Sequence, residues 1–302
     1  MSRQLSCRRR ETLGSAQVLA LALLLISTTF QHRRVVCGDE QQQAAPQAPN
    51  QAQQDERLQA MRRRAEAIKV FVLVDDDRVA ADAVAEPLMR YSDPVRGLRD
   101  GSMWCWRHKG RPVALFKTSM GGGEDIERMW LEGLNSLSQG LIEAQWADGH
   151  QFASRKPGLK FSAIPEGPKP ADAPRRRLLQ MKELARRVEF TIWPSEGNKQ
   201  QMRLLPRTLC RYSAQDDGLI DGALFGFTAN GTCPDALVAI ELVRRSETGA
   251  AWQFGFAQLT TGGLSARWDD HEVWSATQKS IVPTAYDEWT WFWAPGKAAE
   301  TK

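Results

Sequence analysis

Residues able to do acid–base, metal or redox chemistry are few in this chain, and their spacing assembles no familiar constellation. Beyond residue 38 the histidines are His108, His150 and His271. None stands at metal-ligand spacing from another histidine or a cysteine, and none adjoins a nucleophile motif, so each reads as a surface side chain. Cys105, Cys210 and Cys233 form no Cys-x-x-Cys pair. Three thiols are not a disulfide framework, although Cys210 and Cys233 could pair in an oxidising compartment. Asp75-Asp76-Asp77 lacks the spaced oxygens and glycine of a calcium loop and reads as a solvated turn. Gly121-Gly122-Gly123 is not followed by the Lys-Ser or Lys-Thr of a phosphate loop. No metal site and no cofactor are expected. Asn230-Gly231-Thr232 is a formal glycosylation sequon that also suits an ordinary turn.

The aromatic residues carry more information. Eleven tryptophans are present, and Trp289-Thr290-Trp291-Phe292-Trp293 concentrates four aromatic side chains in five residues. In a strand, Trp289, Trp291 and Trp293 point to one side and form a candidate binding surface for a protein, envelope or polysaccharide partner. Trp104, Trp106, Trp130 and Trp146 read instead as core. The alternative to a binding module is a hydrolase with its site where two halves meet. Glu143, Asp148, His150 and His271 are the groups to examine for it, because each occurs in one half only.

The elements that must position these residues begin after a separate N-terminal segment. Arg3, Arg8, Arg9 and Arg10 precede an apolar run densest from Val18 to Ile26. A basic stretch followed by a short apolar core is the pattern of a secretory signal peptide, so residues 1–38 are expected to direct export; a retained segment would act as a signal-anchor. The expected location is periplasmic, cell-envelope or extracellular, with membrane contact only if the segment is kept. The formal charge of +4 comes largely from here. Six of the 40 basic residues and one of the 36 acids lie in residues 1–38, which leaves 34 against 35. That balance offers no basic stripe for nucleic acid.

Residues 39–54, rich in Gln, Ala and Pro, hold no large apolar side chain and read as a disordered spacer. A second, Pro-rich linker covers 156–174. After each linker comes an apolar stripe at helical spacing: Leu58, Met61, Ala65, Ile68, then Leu178, Met181, Ala185, Val188, offset by 120 throughout. Extended stretches follow at 70–74 and 189–193. Leu88-Met89-Arg90-Tyr91-Ser92 then matches Leu209-Cys210-Arg211-Tyr212-Ser213, and Leu98-Arg99-Asp100-Gly101 matches Leu219-Ile220-Asp221-Gly222, both at 121. Each Asp-Gly pair signals a tight turn before a strand. Trp104 and Trp106 fall on Phe225 and Phe227. Val113–Lys117 aligns with Leu237–Glu241 at 124, and Trp130, Leu137, Gly140 and Trp146 align with Trp252, Leu259, Gly262 and Trp268 at 122.

The series predicts an α+β protein, a tandem duplication of a module made of one helix packed on an antiparallel β-meander. In the first copy the meander strands are expected near 101–108, 112–119, 129–137 and 140–147. The repeats span 55–155 and 175–302, the second with a Trp-rich C-terminal extension that has no counterpart in the first. Arg211-Tyr212-Ser213, Asp221-Gly222-Ala223-Leu224-Phe225 and Glu241, with the Pro-rich linker and the helix after it, resemble a group of exported bacterial proteins with no assigned function. That resemblance spans most of 85–275 and implies an exported protein without assigning any chemistry. The expected function is a non-catalytic binding or structural/interaction module.

Overall fold

The computed structural model describes residues 51–75, 77–120, 129–193, 198–214, 218–245, 249–280 and 284–295. The export segment, residues 39–50 of the spacer, Asp76 and the triple-glycine loop lie outside these residues. In chain order the elements begin with α1 (Gln51–Glu66), β1 (Ile68–Val74), β2 (Asp77–Ala80), β3 (Asp82–Ala83), β4 (Met89–Asp93), β5 (Leu98–His108), β6 (Arg111–Met120), β7 (Met129–Ser136), β8 (Ile142–Trp146), β9 (Gln151–Ala153) and β10 (Phe161–Ala163). They continue with α2 (Pro174–Arg186), β11 (Val188–Trp193), β12 (Gln200–Gln201), β13 (Arg203–Leu204), β14 (Cys210–Ala214), β15 (Leu219–Thr228), β16 (Ala236–Arg245), β17 (Gly249–Gln258), β18 (Gly263–Trp268), β19 (His271–Ala276), β20 (Thr284–Ala285) and β21 (Trp289–Pro295). Each helix carries the first three residues of its apolar stripe, while the fourth, Ile68 or Val188, opens the strand that follows. Residues 51–54, expected in the spacer, instead form the first turn of α1.

The structure is mixed but strand-dominated, and its sheets are antiparallel. A seven-stranded sheet runs β20-β21-β7-β6-β5-β3 with β4 also on β5, and a six-stranded sheet runs β10-β17-β16-β15-β13 with β14 on β15. Two four-stranded sheets, β2-β1-β8-β9 and β12-β11-β18-β19, complete the set. Met103, Cys105 and Leu115 of one large sheet share a core with Leu224, Leu237 and Ala239 of the other, so the large sheets pack face to face. On the outer face of the first, Trp104, Trp106 and Phe116 pack against Val70, Val72, Ile142 and Trp146. On the outer face of the second, Phe225, Phe227 and Val238 pack against α2, Phe190 and Leu264. The strands at the centre are thus buried on both sides. The aromatic core expected at Trp104, Trp106, Trp130 and Trp146 is buried throughout.

Three sequence expectations change. The meander does not continue through β8, which leaves β7 and pairs with β1 from Ile68↔Trp146 to Val72↔Ile142. Folding over the large sheet lets Ile142, Ala144 and Trp146 cover Phe116 and Leu134, apolar surface that a fourth meander strand would have left open. The Asp-Gly pairs are not turns but lie inside β5 and β15. Tyr91 sits opposite Gly101 and Tyr212 opposite Gly222. A Cβ on Gly101 would collide with the Tyr91 ring, and one on Gly222 would stand 2.7 Å from the Tyr212 ring, so each glycine makes room for a tyrosine. Finally, Met103 faces Lys117 and Leu224 faces Ala239, which puts Lys117 in register with Ala239 rather than Glu241; Glu241 takes the place of Ser119.

The aspartates of those pairs have their own task. Arg90 Nε donates to Asp100 Oδ1 at 2.6 Å, and Arg211 Nε to Asp221 Oδ1 at 2.8 Å, each guanidinium also reaching the second carboxylate oxygen. The same arginines donate to Gln54 O (3.0 Å) and Pro174 O (2.9 Å) in the first turns of α1 and α2. Each arginine therefore pins a helix start to a central strand. Bidentate charge-assisted bonds are the stronger class.

Burial pushes the Asp221 carboxyl upward, but Arg211 and Arg177 outweigh it and hold the group below its ordinary 3.8. A depressed carboxyl stabilises fully above its unfolded value, and that contribution is lost as pH falls through the folded one. Asp221→Asn is expected to lower the unfolding free energy by about 2 kcal/mol at neutral pH. In urea titrations across a pH series, the difference from wild type should begin to shrink as pH drops below 3.8 and close only below the lower folded value. A difference that stays constant into strong acid would contradict this role.

Candidate functional site

The C-terminal tryptophans are positioned by β21, whose pairing with β7 sets Trp289 opposite Asn135, Trp291 opposite Gly133 and Trp293 opposite Leu131. Strand alternation sends these three indoles to the inner face of the large sheet and Phe292 to the outer face, where its ring meets Trp146 at 5.5 Å and His150 at 4.0 Å. The three tryptophans line one cavity of about 280 Å3. Exposure rises along the ladder from Trp289 at 4% to Trp293 at 37%, so Trp289 lies deepest and Trp293 forms the rim. The facing wall comes from the second half of the chain: Cys233, Leu259, Thr260 and Thr261.

A charged frame braces this opening. Lys117 Nζ donates to Pro234 O (2.9 Å) and Leu259 O (2.8 Å) and stands 3.6 Å from Cys233 Sγ. Arg96 Nη1 donates to Asp235 Oδ1 at 2.6 Å and its Nε to Asp93 Oδ2 at 2.5 Å. Both aspartates are almost fully enclosed, and an enclosed carboxylate needs such a partner. Asn135 Nδ2 donates across the sheets to Gln258 O at 2.9 Å. Every one of these bonds except Arg96–Asp93 joins the first half to the second.

Burial sets the acid–base state of two wall groups. Burial pushes the Cys233 thiol up despite the nearby Lys117 and Arg96, so it stays a thiol near neutral pH. Burial raises the Tyr91 phenol in the same way, with Cys233 adding to it, and its hydroxyl donates to Thr118 O at 3.3 Å. Among the described residues, no group of three or more His, Cys, Asp or Glu side chains could hold a metal ion.

The groups singled out for a hydrolase do not converge. Glu143 pairs with Arg78 at 2.8 Å on an outer sheet. Asp148 accepts from the backbone N–H of His150 at 3.1 Å in the β8–β9 turn. His150 is half-buried rather than on the surface; burial lowers its pKa, and its ring packs on Phe292 and Trp146. His271 is exposed at the start of β19, its Nδ1 2.8 Å from Asp269 O. Cys210 and Cys233, considered as a disulfide, are both free. The C-terminal extension was expected to have no counterpart, yet Trp291 faces Gly133 as Phe161 of β10 faces Gly255, so the Pro-rich linker contributes the matching strand. Arg96 and Asn135 were missed altogether, Lys117 was read only as a strand residue, and Cys233 only as a possible bridge partner. Lys117, a lone cation directly after the apolar run Val113–Phe116 in a buried strand, was the one signal available.

No family model matches the chain, and no curated protein or solved structure is significantly similar to it. No helix among the described residues is long and apolar enough to cross a membrane.

The thiols provide a direct check on this arrangement. Burial raises Cys105 and Cys233, and holds Cys210 at about 11. In a Cys7→Ser/Cys37→Ser background, a thiol reagent at pH 8 should find none of the three in the native protein. All three should react in denaturant without any reductant. Recovery of one thiol after denaturation would reinstate a bridge.

Proposed function

We propose that this chain is an exported, non-catalytic binding protein, a tandem duplication of an α+β module, which takes a small ligand into the cavity walled by Trp289, Trp291 and Trp293. The tryptophan wall carries the binding reading. A strand from the end of the chain lays three indoles along one side of a concave space closed by the other half. Small-molecule sites are typically concave and mostly apolar, with a few placed polar groups. The protonated Cys233, and a lining that among the described residues includes no histidine, support binding over turnover.

Support for duplication comes from strand order and register. The small sheets follow the same order, β2-β1-β8-β9 and β12-β11-β18-β19. Arg90 and Arg211 clasp helix starts in the same way. Each half also lends its closing strand to the other: β10 follows the first half and joins β17, while β21 follows the second and joins β7. The β5–β6 and β15–β16 connections dock reciprocally, Gly110 against Ser213 O and Gly231 against Ser92 O. Such an arrangement suits two fused copies of a strand-exchanged, two-fold dimer.

Export rests on the arginine-led apolar run at 18–26, and Leu23→Arg/Leu24→Arg should hold the full chain in the cytoplasmic fraction while wild type leaves it. For binding, the neutral solvatochromic naphthyl ketone prodan is a suitable probe. Prodan should bind the native protein at one site with blue-shifted emission and quench tryptophan fluorescence. Leu131→Trp, which fills the cavity mouth, should weaken it by about tenfold or more. Prodan binding unaltered by that substitution would place the site elsewhere.

A further inference from the structure

Resting on the cavity reading above, we infer that the ligand is elongated and amphiphilic, with an apolar part against the tryptophan ladder and a polyhydroxylated head, such as a sugar, in a second cavity beside it. The tryptophan cavity, about 280 Å3, falls just short of the range of about 300–1,000 Å3 usual for ligand sites. A second cavity of about 520 Å3 adjoins it, and Arg96, Thr260 and Thr261 line both. One molecule reaching past these three residues would occupy a site of ordinary size. The border between the cavities is pinned on several sides. Leu259 N–H donates to Asp235 O at 2.8 Å, Leu259 O accepts from Lys117 Nζ at 2.8 Å, and Thr261 O accepts from Lys279 N–H at 2.7 Å.

The two cavities differ in chemistry. Indoles and the side chains of Leu98, Leu131 and Leu259 make the first largely apolar, which suits a ring or a chain. In the second, Gln200, Asn230, Thr260 and Thr261 bring amides and hydroxyls beside Ile192 and Ala229, and among the described residues its lining includes no aromatic side chain. These four polar residues are half-buried or exposed rather than sealed. Among the described residues, their side chains bond to no other group. The charges there are already engaged: Arg96 Nη1 donates to Asp235 Oδ1 at 2.6 Å, and Asp235 Oδ2 accepts from Ala229 N–H at 3.0 Å. Amides and hydroxyls both donate and accept, as sugar hydroxyls do, so the open groups suit a head rich in hydroxyls.

The test uses the full chain and 2-naphthyl probes that share one apolar ring: the β-D-glucoside, the β-D-galactoside and the methyl ether, which has no head. At least one glycoside should bind about tenfold tighter than the ether, the gain of one or two net hydrogen bonds. Asn230→Ala and Thr261→Val should each weaken that glycoside by about fivefold and leave the ether unchanged, whereas Leu131→Trp should weaken both. Retained ether binding shows that the head-cavity variants are folded. Glycosides no tighter than the ether, or indifferent to Asn230→Ala and Thr261→Val, would overturn the inference and leave the tryptophan cavity as the whole site. Tighter, salt-sensitive binding of 2-naphthyl phosphate would make the head an anion and overturn it as well. If no probe binds, or Leu131→Trp alters none of them, the cavity reading falls with it.

Discussion

The face-to-face packing of the two large sheets is the constraint on which the rest of this structure depends. Each sheet already carries a helix and a four-stranded sheet on its outer face, so β5, β6, β15 and β16 are enclosed on both sides. Enclosure on both sides removes the usual alternation of apolar and polar residues along these strands. Met103, Trp104, Cys105 and Trp106 are all buried, as are Leu224, Phe225, Gly226 and Phe227. Any polar side chain placed there must find a partner inside the protein, because water cannot supply one. The architecture thus dictates its own ion pairs: Asp100 and Asp221 meet arginines at the sheet margins, while Asp93 and Asp235 share Arg96 across the central contact.

Those pairs are better understood as fixing register than as sources of stability. A buried pair recovers its desolvation penalty only with good geometry and additional hydrogen bonds, and it often does no better than an apolar pair of the same size. What Lys117 and Arg96 do is hold backbone carbonyls and carboxylates of the second half against strands of the first. A slip of one residue between the sheets would strand several charges at once. The apolar contact between the sheets is non-directional. The directional bonds select one arrangement from the many that apolar packing alone would tolerate.

Much of the local structure was legible because local physics decides it. The helical stripes at Leu58 and Leu178 specify amphipathic helices, and the strand cores around 104–106 and 225–227 were placed correctly. The errors share one cause: tertiary contact overrode a local signal. Asp100-Gly101 has the composition of a turn, but the ring of Tyr91 requires a residue without Cβ inside a strand. The segment 140–147 has the composition of a fourth meander strand, but apolar surface on Phe116 and Leu134 drew it across the sheet. Residues 156–174 have the composition of a linker, yet Phe161 finds a free sheet edge at β17. The cavity was half-legible. Trp289, Trp291 and Trp293 announced themselves by spacing, whereas Arg96, Lys117, Asn135 and Cys233 are brought together only by the contact between sheets, which no spacing encodes.

The two halves differ most where the cavity lies, and that difference bears on function. At the places of Ser119 and Leu131 in the first half, register puts Glu241 and Gln253 in the second. There the space is filled. Glu241 accepts from the Tyr212 hydroxyl at 3.0 Å, from Gln253 Nε2 at 2.8 Å and from Arg111 Nη2 at 3.2 Å, the last reaching over from the first half. The closing strand is also three residues long at β10 and seven at β21. A fold needing only to close its sheet edge could use the short strand twice. Three tryptophans on the longer strand, with small and apolar residues opposite, leave a cavity beside β7. On the binding reading proposed above, this asymmetry assigns the ligand to the first-half sheet and its borrowed strand, with the second half holding the far wall in place.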